Sequence, residues 1–437
     1  MQAAAALSGE GGLRARARDL GRRLGRALGT PSGIFAAHVD LSGRIAPHWK
    51  SNSSVVSIAA VALQPEFRFL AASSSIGDAA PSPDLLQLEV KAMDILRHFW
   101  NADTWDGLPR GHAVRYRPLG EERGLRYAGR YVTLGAHGDS YVEYLLKTWL
   151  LGCRREAWLR GMYDGAVGGL RRQLLRRSSR SGLTYLAHAK LTGPLKRNIG
   201  HRMEHLGCFV PGMLMLGAAT DPEGPESKRA QLDRAAARKL AYTCHQMYRR
   251  QNTGLAPEAV HFNPKDSTRD WYIEPEDRYY ILRPETVESL YYLYYYTRDP
   301  LFQDWAWEIF QAIEAHCGTA GGYAPRPDVR HPTQAPRGPM ESFFLAETLK
   351  YLWLIFQPED RLLDPAKYIF TTEAHPLPVL GEERCDALGI ARGGQDRPRV
   401  STGKYLAGGQ HVALEQIRGV LEGGARKRGG NATVSAT

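Results

Sequence analysis

The chain lacks an apolar run long enough to cross a membrane. None of its 437 residues belong to an uninterrupted apolar stretch of about 18 or more, the length that a transmembrane helix needs. The first 29 residues carry arginines but no apolar segment typical of a secretory signal peptide. A transit peptide is one interpretation. We prefer an amphipathic helix, because Leu13, Ala17, Leu20, Leu24 and Leu28 recur at helical spacing.

Cysteine is scarce and is not arranged for metal binding. The five cysteines include no CxxC pair, so the sequence offers no zinc or redox motif, and their redox state stays open. The net charge of +11 would permit an acidic partner. The basic residues are dispersed, however, and no helix-turn-helix, RNA-binding or zinc-finger pattern is present. We therefore expect no nucleic-acid partner.

Helical periodicity dominates the chain, and strand-like alternation is rare. Helices are predicted over residues 85–100, 140–151, 162–176, 230–249, 284–297, 300–316 and 340–356. Short Gly- and Pro-bearing segments join them, which favours an all-α domain of helical hairpins; a solenoid is the alternative. From residue 381 onward the composition turns to Gly and Arg. This change predicts a domain over 1–380 and a disordered tail over 381–437.

Residues 283–289, which read RPETVES, carry the most informative pattern. Pro284 suits the first turn of a helix, where its missing N–H costs nothing. Glu285 and Glu288 are three residues apart and share one helix face. Charges at the start of an apolar helix are costly unless they are paired or functional. The pattern indicates either a polar site or an ion-pair network in which Arg283 holds Glu285 or Glu288.

This segment resembles the signature of the class I α-1,2-mannosidases, glycoside hydrolase family 47. Similar blocks follow in family order: LGA at 134–136 with DSYVEYLLK at 139–147, HLGCF at 205–209, MESFFLAETLKY at 340–351 and FTTEAHP at 370–376. The resemblance covers roughly residues 17–377. It implies a toroidal (α/α)7 barrel of helical hairpins and a calcium-dependent, inverting hydrolysis of α-1,2-linked mannose. The implied substrates are high-mannose N-glycans of glycoproteins in the lumen of the endoplasmic reticulum or Golgi.

The resemblance also implies roles for individual residues. Three carboxylates match the catalytic positions, with Glu285 as the preferred base: Asp139, Glu258 and Glu285. Sugar-contacting positions are matched by Glu143, His205, Arg283, Glu288, Phe343 and Glu347. Thr372 matches the calcium ligand, Glu373 would hold water or sugar beside it, and Cys208 and Cys244 match a disulfide. The alternatives are a helix-terminal carboxylate for Glu258, a helix N-cap for Thr372 and a core histidine for His205.

Departures from the family pattern favour a second hypothesis. The helical region that carries a general acid in the family would lie upstream of the first matching block, so we expect the first hairpin to be missing. Ala59 stands where the family has a substrate-binding glutamate. Pro65 replaces a leucine of an expected helix, which would cost about 3 kcal/mol in a helix interior. The alternative function is a non-catalytic mannose-binding module in glycoprotein quality control, and a weaker one is a helical scaffold.

Overall fold

The computed structural model describes residues 1–29, 35, 55–57, 62–73, 81–100, 104–109, 113–119, 122–128, 130–136, 138–193, 196–358 and 363–391. The α-helices in these ranges are α1 (Gln2–Ser8), α2 (Gly11–Leu24), α3 (Gln64–Ala72), α4 (Pro83–Trp100), α5 (Asp139–Leu151), α6 (Ala157–Gly169), α7 (Val210–Ala219), α8 (Lys228–Arg249), α9 (Glu285–Thr297), α10 (Leu301–Cys317), α11 (Leu349–Ile355) and α12 (Glu382–Ala387). Among the helices so described, none has the length and apolarity that a membrane span requires.

The helices form two layers around one core. Consecutive helices pack as pairs, α1 with α2, α3 with α4, α5 with α6, α7 with α8 and α9 with α10. Alternate helices also pack side by side, with α3 against α1 and α5, and α9 against α7 and α11. Helices α5 and α7 are buried on nearly every face, whereas α8 and α10 keep exposed residues between buried ones. A helix that is apolar all round belongs inside, so α5 and α7 lie in the inner layer, together with α3 and α9, which pack beside them, and α11, which packs beside α9.

Two prolines show how the inner helices begin. The sequence pattern places Pro284 in the first turn of α9. In the structure it is the N-cap, one residue before the helix begins at Glu285. Pro65 lies in the first turn of α3, which begins at Gln64. The expected cost of Pro65 is therefore wrong, because an N–H in the first turn has no partner within the helix. This position lets α3 continue without a kink.

Short strands connect the helices, more of them than the sequence pattern indicates. They are β1 (Val55–Ser57), β2 (Ala113–Leu119), β3 (Glu122–Ala128), β4 (Tyr131–Val132), β5 (Leu175–Arg177), β6 (Thr184–Leu186), β7 (His188–Leu191), β8 (Arg197–Gly200), β9 (Arg202–Glu204), β10 (Ala259–Phe262), β11 (Trp271–Tyr272), β12 (Gly318–Thr319), β13 (Gly322–Tyr323), β14 (Tyr368–Phe370) and β15 (Pro376–Pro378). The sheets β1-β2-β3, β4-β7-β8, β9-β10-β11, β5-β6, β12-β13 and β14-β15 pair antiparallel. Two of these pairings matter for the site: β9 with β10, and β14 with β15.

The segment after residue 380 is fastened to the helical domain over residues 381–391. Cys385 of α12 forms a disulfide with Cys153, just beyond the end of α5. The guanidinium of Arg155 pairs with Glu382 and lies 2.6 Å from the carboxylate of Asp386. The prediction that disorder begins at residue 381 is therefore wrong, because α12 is folded and packs against the domain. Residues 392–437 of the predicted tail lie outside the described residues.

The cysteines are mostly paired. Cys208 and Cys244 form a disulfide that joins the start of α7 to α8. Together with the bond between Cys153 and Cys385, this leaves Cys317 as a buried thiol whose pKa burial raises to about 12. Such a thiol is protonated and unreactive at neutral pH.

Candidate active site

The first turns of α5 place two carboxylates on one face. Asp139 opens the helix, and its Oδ1 accepts a hydrogen bond from the backbone N–H of Ser140 at 2.8 Å. Glu143 follows one turn later and is 6% exposed. Burial, with the charges of Glu143 and Glu285 adding to it, raises the pKa of Asp139 to about 6. A carboxyl group with this pKa can carry a proton that it gives up near neutral pH.

Glu285 at the start of α9 is held by a buried histidine. Its Oε2 lies 2.8 Å from Nδ1 of His205, and Nε2 of His205 lies 2.7 Å from the hydroxyl of Tyr248. Because a carboxylate only accepts, Nδ1 carries the proton in this pair. Burial acts to raise the pKa of Glu285, but the hydrogen bond and charge of His205 and the charge of Arg283 outweigh it and lower the pKa. Glu285 is therefore ionised and oriented, and His205 is more than a core residue.

Arg283 is paired with Glu258 rather than with Glu285 or Glu288. Its Nε and Nη2 bond the two Glu258 oxygens at 2.7 and 2.6 Å, a bidentate geometry. The pairing of β9 with β10 delivers Glu258 to this place, since the N–H of His205 donates to the Glu258 carbonyl at 2.8 Å. The helix-terminal alternative for Glu258 is wrong, because the residue directly precedes a strand.

The backbone next to Arg283 is strained. Leu282 has φ of 68°, in the left-handed region that leucine seldom adopts. Its carbonyl accepts a hydrogen bond from the hydroxyl of Thr348 at 2.7 Å, and its side chain is fully buried. Packing therefore holds a conformation that costs of order 1 kcal/mol or more, a feature that clusters at functional sites.

Two further carboxyl groups come from the facing helices. Burial, opposed by the charge of Lys147 and aided by the charges of Glu143 and Glu285, raises the pKa of Glu288 to about 8. Burial and the neighbouring carboxylates, Glu288 first among them, raise the pKa of Glu347 to about 9. Glu347 lies in a π-helical turn, Phe344–Thr348, of the kind often found at functional sites. The half-buried Phe343 directly precedes this turn.

Thr372 reaches the same cluster through a tyrosine. It lies in the turn between β14 and β15, so the helix N-cap alternative is wrong. Its backbone N–H donates to the hydroxyl of Tyr144 at 3.0 Å, and that hydroxyl donates to Oε1 of Glu66 at 2.6 Å. Burial raises the pKa of Glu66 to about 7. The adjacent Glu373 is exposed, and its charge contributes to the raised pKa of Glu347.

Glu66 is a site residue that the sequence analysis did not identify. The available signal was an acid in the first turn of a helix, directly after Pro65 and seven residues after Ala59. Ala59 itself lies outside the described residues. The second carboxylate oxygen of Glu66, Oε2, is buried and has no hydrogen-bond partner among the groups that the structure describes.

The oxygen-rich cluster fits the predicted calcium. Calcium takes about 6–8 oxygen ligands, and the hydroxyl of Thr372 and the unpartnered oxygen of Glu66 are of this type. Within the described ranges, no group of three or more His, Cys, Asp or Glu side chains is arranged to hold a metal directly. The protein would therefore supply few direct ligands, and the carboxylates of Glu347 and Glu373 would act through bound water.

A cavity of about 330 Å³ is lined by residues that adjoin the site in sequence, and none of the carboxyl groups named above lines it. Its walls are Tyr131, Thr133, Gly135, Ala136, Leu186, Ala187, His188, Arg202, Glu204 and Gly207. The chain links this cavity to the site. Oε2 of Glu204, the residue before His205, accepts a hydrogen bond at 2.6 Å from the N–H of Ala136, which lies three residues before Asp139. Arg202 pairs with Glu204 and with Asp277. The cavity thus offers charged, hydroxyl and aromatic groups to a ligand.

Comparison with known proteins places this geometry in context. A sequence model of glycosyl hydrolase family 47 matches residues 1–379. The chain is 39% identical over 383 residues to the endoplasmic reticulum mannosyl-oligosaccharide 1,2-alpha-mannosidase of Homo sapiens, covering 85% of this chain and 50% of that protein. It is 38% identical over 374 residues to mannosyl-oligosaccharide 1,2-alpha-mannosidase IA of Sus scrofa, covering 86% and 53%. The chain thus spans about half the length of these curated relatives.

A solved structure agrees with the sequence relatives. The α-1,2-mannosidase from Trichoderma reesei superposes with a TM-score of 0.68 at 25% sequence identity, covering 82% of this chain and 72% of that chain. The predicted all-α barrel fold is confirmed by this likeness and by the family match.

Proposed function

The chain belongs to glycosyl hydrolase family 47, whose fold is an (α/α)7 barrel, and from this premise we propose that it hydrolyses terminal α-1,2-linked mannose of high-mannose N-glycans. The observation that carries the proposal is the convergence of carboxylates from α3, α5, α9 and the π-helical turn on one site. Glycoside hydrolysis needs one group that protonates the departing oxygen and one that attacks or activates water. The site offers both.

The surroundings of Asp139 and Glu285 indicate which group is the acid and which is the base. The pKa of Glu285 is lowered by His205 and Arg283 against the effect of burial, so this carboxylate can accept a proton from water. The pKa of Asp139 is raised by burial to about 6, so this group can donate one. Two carboxyl groups whose pKa values are pushed apart are the usual arrangement of base and acid. Glu258 is held bidentate by Arg283, which suits it for orienting substrate rather than for transferring protons.

The proposed reaction proceeds in one displacement. Glu285 takes a proton from a water molecule as the water oxygen attacks the anomeric carbon. The bond between that carbon and the glycosidic oxygen breaks, and Asp139 delivers a proton to the departing oxygen. Attack from the face opposite the leaving group gives β-mannose, so the reaction inverts configuration.

The remaining site residues would hold the substrate. Glu143, Glu288 and Glu347 offer acceptors for sugar hydroxyls, and Phe343 offers an aromatic face. The neighbouring cavity, with Arg202 and the half-exposed Tyr131, would hold further sugar residues of the glycan. Its volume of about 330 Å³ lies within the range of small-molecule binding pockets.

We propose calcium as the cofactor. Thr372, with Glu66, Glu347 and Glu373 around it, would hold the ion. When bound, calcium would offset the negative charge of the cluster and fix water and sugar hydroxyls beside it. The side chains of this chain would still carry the proton transfers, and Tyr144 would keep Thr372 in register with α5.

The names of the relatives and the disulfides support a secretory location. The curated relatives include an endoplasmic reticulum 1,2-alpha-mannosidase and a 1,2-alpha-mannosidase IA. Two disulfides suit an oxidising compartment. We therefore propose that the protein acts on glycoproteins in the lumen of the endoplasmic reticulum or Golgi.

The test combines turnover with binding. Wild-type protein and Glu285→Gln are mixed with α-1,2-mannobiose and with a high-mannose oligosaccharide in calcium-containing buffer. We expect mannose release by the wild type and a loss of about 10³-fold or more in Glu285→Gln, with little change in affinity by calorimetry. Binding without release by the wild type would instead establish a non-catalytic mannose-binding module. The absence of both would reject a sugar site.

A further inference from the structure

Lys147 is a buried cation that the proposed mechanism does not use. It lies on α5 four residues after Glu143 and eight after Asp139, so the three side chains follow one helix face. Its side chain is only 3% exposed. An ammonium group so deeply buried costs several kcal/mol unless it is paired. Such a cost calls for a specific role.

The partners of Lys147 are two of the proposed sugar-binding carboxylates. Its Nζ donates a hydrogen bond to Oε1 of Glu143 on the same helix. It also lies 3.7 Å from Oε1 of Glu288, which belongs to α9. Among the described residues, Glu143 and Glu288 are the two whose carboxylates lie within ion-pair distance of Nζ. The ammonium therefore links α5 to α9, because Glu143 belongs to the first helix and Glu288 to the second.

Most of the remaining neighbours are apolar. Leu146, Phe209, Met213, Leu216 and Tyr292 line the same small pocket as Lys147 and its partners. A low local polarity strengthens the attraction between the ammonium and the carboxylates. Burial acts to lower the pKa of Lys147, but the charges of Glu143 and Glu288 outweigh it and raise the pKa. The group is thus a fixed positive charge at any pH at which the protein would work.

We propose that Lys147 is a positioning residue of the sugar site: its ammonium holds Glu143 and Glu288 in the orientation in which they accept hydrogen bonds from mannose hydroxyls. This proposal rests on the proposed function. Without the ammonium, Glu143 would lose its hydrogen-bond donor and Glu288 would lose the cation beside it, so neither side chain would be held in place. Their side chains would then change orientation, and affinity for the sugar would fall.

The experiment measures binding separately from turnover. An α-1,2-mannobiose with sulfur as the bridging atom, which resists hydrolysis, is titrated into the full chain by calorimetry. We expect Lys147→Met to bind it at least tenfold more weakly than the wild type. Lys147→Arg, which keeps the charge, should recover most of that loss. In hydrolysis of ordinary α-1,2-mannobiose, Lys147→Met should raise KM by a similar factor and lower kcat less.

Two control variants separate positioning from general stability. Arg160→Met removes another buried cation, one that bonds Asp164 at 2.9 Å on the outer helix α6, and should lower Tm without weakening sugar binding. Lys239→Met removes an exposed charge on α8 and should change neither. If Lys147→Met does not fold, Lys147→Gln replaces it, because glutamine can donate to Glu143 without a charge.

The outcomes decide the proposal. Unchanged affinity in the uncharged Lys147 variant would overturn it, as would equal losses in Arg160→Met. A Lys147→Arg variant that binds no better than the uncharged one would also overturn it, because the charge would then be irrelevant. Failure of the wild type to bind the sugar would instead reject the proposed function itself.

Discussion

In calcium-free protein, three buried carboxyl groups should make the folded state lose stability as the pH rises from about 7 to about 9. Burial raises the pKa of Glu66 to about 7, of Glu288 to about 8 and of Glu347 to about 9. In the unfolded chain each would ionise near 4.5. The folded state therefore binds more protons than the unfolded state throughout this interval, so the free energy of unfolding falls as the pH rises.

The magnitude follows from these pKa values. Integrating the difference in bound protons over two pH units gives a loss of about 4 kcal/mol, of which Glu347 contributes about 2 kcal/mol. Histidines do not obscure the effect, because their ordinary pKa is near 6.5 and those with shifted values here are lowered further. A bound calcium ion would favour the ionised carboxylates, so added calcium should stabilise the protein more at the higher pH.

The assay is urea unfolding with a chelator present, followed by near-ultraviolet circular dichroism at several pH values. Glu347→Gln should lose about 2 kcal/mol less than the wild type across the interval, while the control Glu223→Gln, at an exposed position, should follow the wild type. A wild-type free energy of unfolding that is constant or rises with pH would refute the reasoning. So would a Glu347→Gln variant that declines as steeply as the wild type.

Three further predictions concern the reaction, the disulfide and the cation site. Asp139→Asn should lower kcat by about 10²-fold or more and abolish the alkaline limb of the pH profile that begins near 6 in the wild type. Replacing Cys153 and Cys385 by Ser together should destabilise the protein by about 5 kcal/mol at most, measured by urea unfolding, because the bond closes a loop of 232 residues; an unchanged midpoint would contradict this. Tyr144→Phe should weaken calcium binding about tenfold by calorimetry, because it removes the hydroxyl that anchors the N–H of Thr372; unaltered affinity would exclude that role.

Much of the helical framework could be predicted from local sequence. The apolar periodicity of α4, α5, α9 and α10 gave their bounds to within two residues. The pattern around Pro284 placed Glu285 and Glu288 on one face at the start of a helix, as the structure has them. Such features depend on neighbours within four residues, which is the range that periodicity and capping report.

What escaped prediction depends on long-range pairing. The bond of Arg283 to Glu258 arises from the antiparallel register of β9 with β10, and nothing near residue 283 indicates it. The role of Glu66 depends on Tyr144, which is 78 residues away. The attachment of α12 through Cys385 was missed because Gly and Arg content suggests disorder, whereas one disulfide can order a short segment.

The measurement that tests the central claim most directly is proton NMR of the mannose first released from α-1,2-mannobiose in calcium-containing buffer. If Asp139 and Glu285 act on opposite faces of one sugar in a single displacement, β-mannose should appear first, followed by slow mutarotation to the α anomer. Release of α-mannose first, or no release by a folded protein that binds the disaccharide, would contradict the account.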